Sequence, residues 1–595
     1  MRVHYPRTPH LPWSPGVTSD DVRAGELSGL RGREVVVTEK LDGENTTLYP
    51  DGLHARSLDS AHHPSRAWVK GLQGRIGGRI PAGLRVCGEN VYARHSIAYE
   101  ELESWFYGFS VWDGERCLGW DRTVSFLREL GIPVPPVLWR GVFDERALRG
   151  LRLDPERQEG YVVRAADGFV MADFAGRVAK WVRRNHVRTD THWMHAPVVP
   201  NGLGPGAALW SVRSGAEPDI TALLTAVGLG PGALESAAPA LGARATTPAA
   251  VDLGSGAVEG ADPEAVAEVA GRLDAIGRGG DARLAGVLAV ALRSVPRGVL
   301  AARLARTLGM PLARRIADLA GLHGALRRPF PDEERRAGLG RMALAADLGV
   351  LHAVAAVVPA GPEEEAGEQV AWSALHAEDA GLLGPDPLEP LRTGLRERLA
   401  GLDGEAADRC WAEARAAWAA GKISTPEEAV AATWRWRAGT FPRLVHLVGP
   451  SGSGKSTFAA GLERAVRVSL DELRATRGSR ADQRDNGAVL GEGLDRLDTA
   501  LAAGGTVVWD ATSLNHHQRS LVHAVARRRD ALTTHVVALL EEDELHRRNA
   551  ARADAVPAHV LDAQVRRYVP PYPGQAHRTW YVGERGTVDD MDGRL

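Results

Sequence analysis

The chain has 595 residues, of which 44% are hydrophobic and 25% are charged, and its formal net charge at pH 7 is −3. This length is too great for one hydrophobic core and predicts a multidomain protein, and the charge excludes a globally cationic nucleic-acid-binding surface. Three widely spaced cysteines, Cys87, Cys117 and Cys410, exclude a disulfide framework and a cysteine-rich zinc site. Because the N-terminus lacks a long apolar run, we expect a cytoplasmic protein without a membrane partner.

Four segments follow from the distribution of residue types along the chain. Residues 1–195 contain short β-branched and aromatic runs separated by Gly-rich turns, which predicts an α+β domain. Residues 196–249 are rich in Gly, Pro and Ala and are interpreted as a linker or extension. Residues 250–435 have Ala, Leu, Arg and Glu at helical spacing, which predicts an all-α domain. Residues 436–595 alternate strand and helix after a Gly-rich turn, which predicts an α/β domain with a parallel sheet.

Lysine is scarce in this sequence. Only Lys40, Lys70, Lys180, Lys422 and Lys455 occur among 72 basic residues. Arginine replaces lysine on most solvated surfaces but not as a nucleophile, because its guanidinium stays protonated. A chemical role is therefore favoured where lysine is retained.

A constellation of polar residues begins at the segment TEKLDGEN, where Lys40 ends a β-branched strand. A single Lys-x-Asp-Gly tetrapeptide is a modest signal, but further residues follow it in a defined order. The predicted nucleotide-binding residues of this domain are Glu39, Lys40, Asp42, Gly43, Arg56, Glu89, Phe109, Glu159 and Lys180.

This series resembles the nucleotidyltransferase motifs of ATP-dependent RNA ligases, whose superfamily includes DNA ligases and capping enzymes. The resemblance covers about the first 190 residues and implies an ATP-grasp-like nucleotidyltransferase fold. It implies that Lys40 is the nucleophile that forms lysyl-AMP, which requires a pKa lowered by neighbouring cations or a metal. It also implies that Lys180, with Arg183 or Arg184, neutralises the α-phosphate.

The resemblance implies roles for the other residues of the series. Glu159 would hold a divalent metal, and Glu89 would bind the ribose hydroxyls or a metal-bound water. Phe109 would stack on adenine, and Arg56 would contact the ribose or the incoming phosphate. The family often has Lys-x-Lys in its last motif, whereas this chain has Lys180-Trp-Val-Arg183. On the alternative interpretation, KLDGEN is a β-hairpin turn, the glutamates are strand-edge charges and the aromatic residues are core.

A phosphate-binding loop lies in the C-terminal segment, where VHLVGPSGSGKSTF has the order strand, Gly-rich turn and helix. Backbone amides and the helix N-terminus would receive phosphates, Lys455 would pair with the β/γ oxygens, and Ser456 would bind Mg²⁺. Asp510, at the end of a later apolar strand, is a second predicted metal ligand. The predicted ATP-binding residues are Gly449, Ser451, Gly452, Ser453, Gly454, Lys455, Ser456, Thr457, Arg548 and Arg552.

The segments SLDELR, WDAT and RRNAAR resemble those of polynucleotide 5′-kinases. The resemblance covers residues 440 to about 575 and is less specific than the phosphate-binding loop, since small-metabolite kinases share the scaffold. It implies that Asp471 is the general base and that Arg474 clamps a substrate phosphate. Asn515 and Arg519 are further predicted substrate contacts, and Arg548 or Arg552 would close a lid over ATP.

The helical domain gives no clear functional signal. Its histidines His323, His352 and His376 are predicted to be structural, and a metal phosphohydrolase is not indicated because no His-Asp dipeptide occurs in the chain. We expect a domain that spaces the catalytic ends or grips RNA.

Together the two ends predict an enzyme that heals and seals RNA ends with ATP and Mg²⁺ or Mn²⁺. The kinase would phosphorylate a 5′-hydroxyl, and the ligase would join it to a 3′-hydroxyl. Three alternatives remain open at this point: a kinase–ligase acting on DNA, a nucleotidyltransferase or kinase with a non-nucleic-acid substrate, and a non-catalytic end-binding scaffold.

Overall fold

The computed structural model describes residues 2–18, 21–58, 62–184, 197–230, 262–329, 332–358, 364–477 and 486–595. The chain forms two compact units. The first comprises Met1–Ala233 with Ala270–Leu284, and the second comprises Leu234–Val269 with Ala285–Leu595. The multidomain expectation is therefore confirmed.

Two antiparallel sheets build the first unit. The strands are β1 (Glu34–Lys40), β2 (Glu44–Tyr49), β3 (Gly52–Ala55), β4 (Leu84–Asn90), β5 (Phe106–Asp113), β6 (Arg116–Cys117), β7 (Val137–Val142), β8 (Gly160–Ala165), β9 (Phe169–Val170) and β10 (Val178–Val182). One sheet has the order β10-β8-β1-β7, and the other has the order β3-β2-β4-β5-β6-β9.

The segment between β1 and β2 passes from one sheet to the other, so it is not the β-hairpin of the alternative interpretation. Gly43 lies in this connection, where a Cβ atom would stand 2.5 Å from the carbonyl oxygen of Asn90 on β4. Only glycine allows so close an approach of two backbones. The Asp-Gly pair thus brings the end of β1 beside β4.

In the part of the chain that the structure describes, six short α-helices accompany these sheets. They are α1 (Ala67–Ile76), α2 (Trp120–Leu130), α3 (Glu145–Arg149), α4 (Phe174–Arg177), α5 (Ala207–Arg213) and α6 (Ile220–Ala226). The last two fall within the predicted linker 196–249, whose residues 231–249 lie outside the described residues. Arg213 of α5 is 4% exposed and pairs with Asp281 at 2.7 Å, so this part of the predicted linker is packed structure.

Every element described between residues 262 and 436 is a helix, as the helical spacing predicts. The α-helices are α7 (Pro263–Ala275), α8 (Gly280–Ala291), α9 (Arg297–Leu308), α10 (Met310–Leu322), α11 (Asp332–Ala343), α12 (Leu348–Val357), α13 (Glu364–Asp379), α14 (Glu389–Arg398), α15 (Gly404–Ala419) and α16 (Pro426–Ala432).

Two features of these helices bear on earlier expectations. His352 is buried, and its ring nitrogens contact the Leu348 carbonyl oxygen at 2.7 Å and Ser373 Oγ at 3.1 Å, which is a structural arrangement. Among the described residues no single helix is long and apolar enough to cross a membrane. The helical segments Glu334–Ala343 and Leu348–Val357, which meet at a bend of 104°, reach that length and apolar composition only when taken together.

The C-terminal part of the second unit is an α/β domain. Its strands are β11 (Arg443–Val448), β12 (Ala465–Ser469), β13 (Thr506–Asp510), β14 (Leu532–Ala538), β15 (Arg578–Val582) and β16 (Val588–Asp592). Its helices are α17 (Lys455–Ala460), α18 (Leu470–Thr476), α19 (Asn486–Ala502), α20 (His516–Arg528), α21 (Glu542–Ala550) and α22 (Ala558–Arg567).

The sheet of this domain has the order β12-β13-β11-β14-β15-β16. Its first five strands are parallel, as predicted, but β16 runs antiparallel to β15. The prediction of a wholly parallel sheet is therefore wrong at this edge. The physical reason is the short connection between Val582 and Val588, because a parallel return needs a crossover of a dozen or more residues.

Buried arginines join the helices of the second unit to its α/β domain. Arg297 of α9 pairs with Asp318 of α10, donates to the Pro571 carbonyl oxygen at 3.0 Å and lies 3.5 Å from the ring centre of Tyr572. Arg314 pairs with the same Asp318 at 3.1 Å. Asp318 is 0% exposed and is the carboxylate that pairs with Arg297, whereas Arg314 also pairs with Asp590 at 2.8 Å.

We expect Asp318→Asn to lower the free energy of unfolding of the second unit by about 3–5 kcal/mol, because it leaves the buried Arg297 guanidinium without its anion and removes one of the two anions of Arg314. Denaturant titration measures this loss. Asp530→Asn is the matched control, since Asp530 pairs with Arg435 where both side chains are 57% exposed, and its effect should stay within about 1 kcal/mol. Equal effects of the two substitutions would contradict the structural role of Asp318.

Candidate active sites

The Lys40 amine lies in a group of carboxylates in the first unit. Strand β1 ends at Lys40, which pairs with Gly160 of β8, and its Nζ lies 2.5 Å from Glu159 Oε2. Glu89 on β4 of the other sheet and Asp42 in the connection also act on the amine electrostatically. The structure thus brings together the predicted nucleophile and both predicted glutamates.

Burial and charge act in opposite directions on the Lys40 amine. Burial alone would lower its pKa, but the carboxylates of Glu159, Glu89 and Asp42 outweigh burial, and the net pKa is raised. The expectation of a lowered pKa is therefore not met in the protein alone. Since the carboxylates are the cause, a cation bound to them would release the amine for attack.

Burial, together with the nearby Glu159 and Asp42 carboxylates, raises the pKa of Glu89 to about 8, although Lys40 opposes this. A buried carboxyl group beside two others is an unfavourable place for negative charge and a favourable one for a metal cation. The carboxylate donor set fits the divalent metal that the sequence predicts.

We predict that Glu89 makes the stability of the first unit depend on pH. Its pKa is about 8 in the folded protein, against an ordinary value of 4.5, so the folded state holds a proton that the unfolded state has lost between these values. The free energy of unfolding should therefore fall as the pH rises from about 4.5 to about 8. Glu89→Gln should flatten this dependence in denaturant titrations, and Glu101→Gln, at an exposed position, should not.

Lys180 lies on β10, one strand beyond β8, where it pairs with Val162. Burial and the nearby Lys40 amine lower its pKa, while Asp21, whose Oδ1 lies 3.5 Å from Lys180 Nζ, and Glu159 oppose this. Arg183 follows on the same segment, and its Nε and Nη2 are buried without a hydrogen-bond partner among the described residues. The two cations of the last motif therefore stand at the same edge of the sheet.

The remaining predicted ligase residues occupy different settings. Asp42 Oδ2 accepts from the backbone amides of Ser96 and Ile97 at 2.8 and 2.9 Å, so it anchors the loop after β4. Glu39 is buried and accepts from Gln158 Nε2 at 2.9 Å, and burial raises the pKa of Glu39.

Phe109 and Arg56 both contact the N-terminal segment. Phe109 is half-buried on β5 and meets the ring of Tyr5 edge-on, with ring centres 5.3 Å apart. Arg56 is exposed just after β3, and its carbonyl oxygen contacts His4 Nδ1 at 3.0 Å. Residues of the N-terminal segment thus contact both positions.

The phosphate-binding loop of the second unit follows β11. Gly449, Gly452 and Gly454 have φ values of +146°, +78° and +83°, which explains glycine at each position. Lys455 is 7% exposed and donates to Ser453 Oγ at 3.2 Å and to the Pro450 carbonyl oxygen. Burial lowers the pKa of Lys455 to about 8, against the opposing charges of Asp510 and Asp471.

The predicted metal ligands of this loop lie together. Ser456 Oγ is 3.3 Å from Asp510 Oδ1, a hydroxyl and a carboxylate that fit a magnesium ion. Arg467 of β12, which the sequence analysis missed, also pairs with Asp510, through Nε at 2.9 Å. No motif marks this arginine because its position depends on the parallel pairing of β12 with β13.

Asp471 and Arg474 lie on α18, which Ser469 caps. The Asp471 side chain is 69% exposed, and its Oδ1 accepts from Arg474 Nη1 at 2.6 Å. The structure therefore places the predicted base and clamp in direct contact.

The predicted lid is α21, which packs against the loop through Asn549 beside Gly452. Arg548 pairs with Glu544 and approaches Gly454, and Arg552 is exposed but acts electrostatically on Lys455. Gln564 of α22, missed from the sequence, accepts from the Ser451 amide at 2.8 Å. Arg548 and Arg552 thus stand on the side of the loop where phosphates would bind.

Two predicted substrate contacts have structural partners instead. Asn515 caps α20 by accepting from the Gln518 amide at 3.0 Å. Arg519 is 3% exposed and donates to the carbonyl oxygens of Ser513 and Val569 at 3.1 and 3.0 Å. Helix capping and loop fixation account for both residues in this structure.

Comparison with known families agrees with this geometry. Residues 33–182 match the RNA ligase family, and residues 444–571 match an AAA domain family. The chain joins an RNA ligase domain to a P-loop domain. No curated protein matches it.

Solved structures give weak overall matches. A Naegleria gruberi RNA ligase mutant with ATP and Mn is 18% identical, with a TM-score of 0.21, over 27% of this chain and 52% of that one. The chain therefore spans about half the length of that ligase. Chaetomium thermophilum Kti12 with ADP-AlF3 is 16% identical, with a TM-score of 0.20, over 24% of this chain and 88% of that one. The Mycobacterium tuberculosis APS kinase CysC, as a mutant, is 23% identical, with a TM-score of 0.15, over 16% of this chain and 76% of that one.

Proposed function

We propose that the protein repairs RNA ends by phosphorylating a 5′-hydroxyl in its P-loop domain and sealing the resulting 5′-phosphate to a 3′-hydroxyl in its ligase domain. The observation that carries the proposal is the Lys40 amine, which pairs with Glu159 and feels the charge of Glu89, together with Lys180 on β10, the strand next to β8. The kinase product is the substrate that the ligase requires, so the two domains make one reaction sequence.

In the ligase domain, Lys40 Nζ would attack the α-phosphorus of ATP. A P–N bond forms, the bond to the β-phosphate oxygen breaks, and pyrophosphate leaves. The 5′-phosphate of RNA would then displace Lys40, and attack by the 3′-hydroxyl would release AMP. Lys180 and Arg183 would neutralise charge on the transferred phosphate, and two buried nitrogens of Arg183 have no hydrogen-bond partner among the described residues.

In the P-loop domain, phosphoryl transfer depends on positioning and on electrostatic stabilisation. Lys455 is a buried cation whose hydrogen-bond acceptors, the Pro450 carbonyl oxygen and Ser453 Oγ, are neutral, and a bound phosphate would pair with its charge. Asp471 is exposed to an incoming hydroxyl and would accept its proton, while Arg474 holds the carboxylate.

A divalent metal fits both domains. Glu159 and Glu89 would hold it in the ligase domain, and Ser456 and Asp510 would hold it in the P-loop domain. Bound there, the ion would neutralise carboxylate and phosphate charge. In the ligase domain this neutralisation removes the cause of the raised Lys40 pKa.

The test incubates the full chain with Mg²⁺ and ATP labelled at either the α- or the γ-phosphate, with and without a 5′-hydroxyl RNA. We expect α-label on the protein without RNA, and γ-label on the RNA 5′-end. An RNA whose ends are held close by a duplex should also be sealed. Absence of α-label from the protein would overturn the ligase assignment, and absence of γ-label from RNA would overturn the kinase assignment.

A further inference from the structure

The N-terminal segment pairs with the edge of β10 beside the ligase centre. Lys180 N donates to the Pro9 carbonyl oxygen at 2.8 Å, and Leu11 N donates to the Lys180 carbonyl oxygen at 2.8 Å. His10 lies between them and exchanges backbone hydrogen bonds with Val22 and Ala24 at 2.7 and 2.8 Å. The chain thus turns back on itself and carries Asp21 to Lys180.

Asp21 is held firmly where it meets Lys180. Its Oδ2 accepts from Thr18 N at 3.1 Å and from Thr18 Oγ1 at 2.9 Å. The other oxygen, Oδ1, lies 3.5 Å from Lys180 Nζ and 3.4 Å from His10 Nε2. One carboxylate oxygen therefore fixes the side chain, and the other faces the predicted phosphate-binding cation.

His10 is a buried neighbour of Asp21. It is 1% exposed, its Nδ1 contacts Ser14 Oγ at 2.9 Å, and its Nε2 makes no well-aligned hydrogen bond among the described residues. Burial and the Lys180 charge lower the pKa of His10 to about 4, so the ring is neutral at pH 7. The neutral His10 ring therefore does not compete with the Lys180 ammonium for the charge of Asp21.

We propose that Asp21 is the counter-ion of Lys180 before ATP binds and a positioning residue for adenylation. When ATP binds, the α-phosphate replaces Asp21 as the partner of Lys180. This inference rests on the proposed ligase function. Lys180 is partly buried beside the Lys40 charge, and both effects lower its pKa, whereas the Asp21 anion opposes them and favours the protonated amine before the nucleotide arrives. The separation of 3.5 Å is a long ion pair, which a phosphate oxygen can replace at little cost.

The test compares Asp21→Asn with the wild-type chain by α-labelled ATP transfer between pH 6 and pH 10. Without the Asp21 charge the Lys180 pKa falls. The adenylation rate should therefore decline at a lower pH in the variant than in the wild type as the pH is raised. Because Asp21 acts on Lys180 before ATP binds, the rate of adenylation at limiting ATP should fall about tenfold or more at pH 8, while γ-label transfer to RNA, a reaction of the second unit, stays unchanged. Asp21→Glu should largely restore the wild-type pH profile.

Asp167→Asn is the matched control, because Asp167 pairs with Arg33 at an exposed site of the same unit. Thr18→Val keeps the Asp21 charge but removes one hydrogen bond to it, so it should shift the pH profile of adenylation in the same direction by a smaller amount. This variant replaces Asp21→Asn in the test if Asp21→Asn does not fold. If the wild-type chain takes up α-label and a folded Asp21 or Thr18 variant has the same pH profile as the wild type, the inference about Asp21 is wrong but the ligase function stands. An unlabelled wild type overturns the proposed ligase function as well.

Discussion

Replacing Lys40 with alanine should abolish transfer of α-label from ATP to the protein while γ-label transfer to a 5′-hydroxyl RNA continues. The loss should exceed about a thousandfold, because the methyl group of alanine cannot form the phosphoramidate bond that we assign to the Lys40 amine. Lys40 is held by Glu159 and is 24% exposed, so its removal leaves a space open to solvent rather than a core cavity. Gel electrophoresis under denaturing conditions measures both labels in the same reaction.

Lys70→Ala is the matched control for this experiment. Lys70 is another lysine of the ligase domain and lies exposed on α1, away from the carboxylate group. It should take no part in label transfer, and its substitution should leave both activities at the wild-type level. Label on the Lys40→Ala protein would place the nucleophile elsewhere, and loss of both activities in a folded variant would contradict the two-module division.

Asp471→Asn should have the opposite result. The amide keeps the size of the side chain but cannot accept the proton of the attacking hydroxyl, so phosphorylation of RNA should fall by about 10²- to 10⁴-fold. Adenylation of Lys40 should be unaffected, because Asp471 belongs to the second unit. The measurement is γ-label transfer to RNA under single-turnover conditions, which separates the chemical step from product release.

Glu472→Gln controls for the loss of negative charge on the same helix. Glu472 follows Asp471 directly, and its side chain is 57% exposed. Its substitution should change the rate less than twofold. If both variants lowered the rate of RNA phosphorylation equally, the effect of Asp471→Asn would come from the loss of a negative charge on the helix. Another group would then have to serve as the base.

The local chemistry of both sites follows closely from the sequence. Lys40 and Glu159 are 119 residues apart, yet their order along the chain predicted a shared site, and the structure gives them an ion pair. The strand, loop and helix around Lys455 are formed as expected, since Gly-rich turn geometry depends on short-range constraints. The α/β and helical segments were also recognised, because hydrophobic periodicity is a local property.

Other features depend on pairings between distant segments and could not be predicted. Asp21 reaches Lys180 because the segment that contains Pro9 and Leu11 forms backbone hydrogen bonds with the edge strand β10. No periodic pattern in the sequence marks this pairing. Arg467 reaches Asp510 through the strand order. Arg519 and Asn515 were assigned to substrate because a polar side chain looks the same in sequence whether it binds a ligand or a backbone group.

The arginines shared by the helices and the sheet of the second unit limit how this chain can be divided. Arg578 of β15 pairs with Glu405 and Asp408, and Arg415 pairs with Asp592 at 3.0 Å. A cut near residue 436 would separate each of these groups from its opposite charge. The helices of the second unit that carry these charges therefore belong to the same folded body as the P-loop sheet.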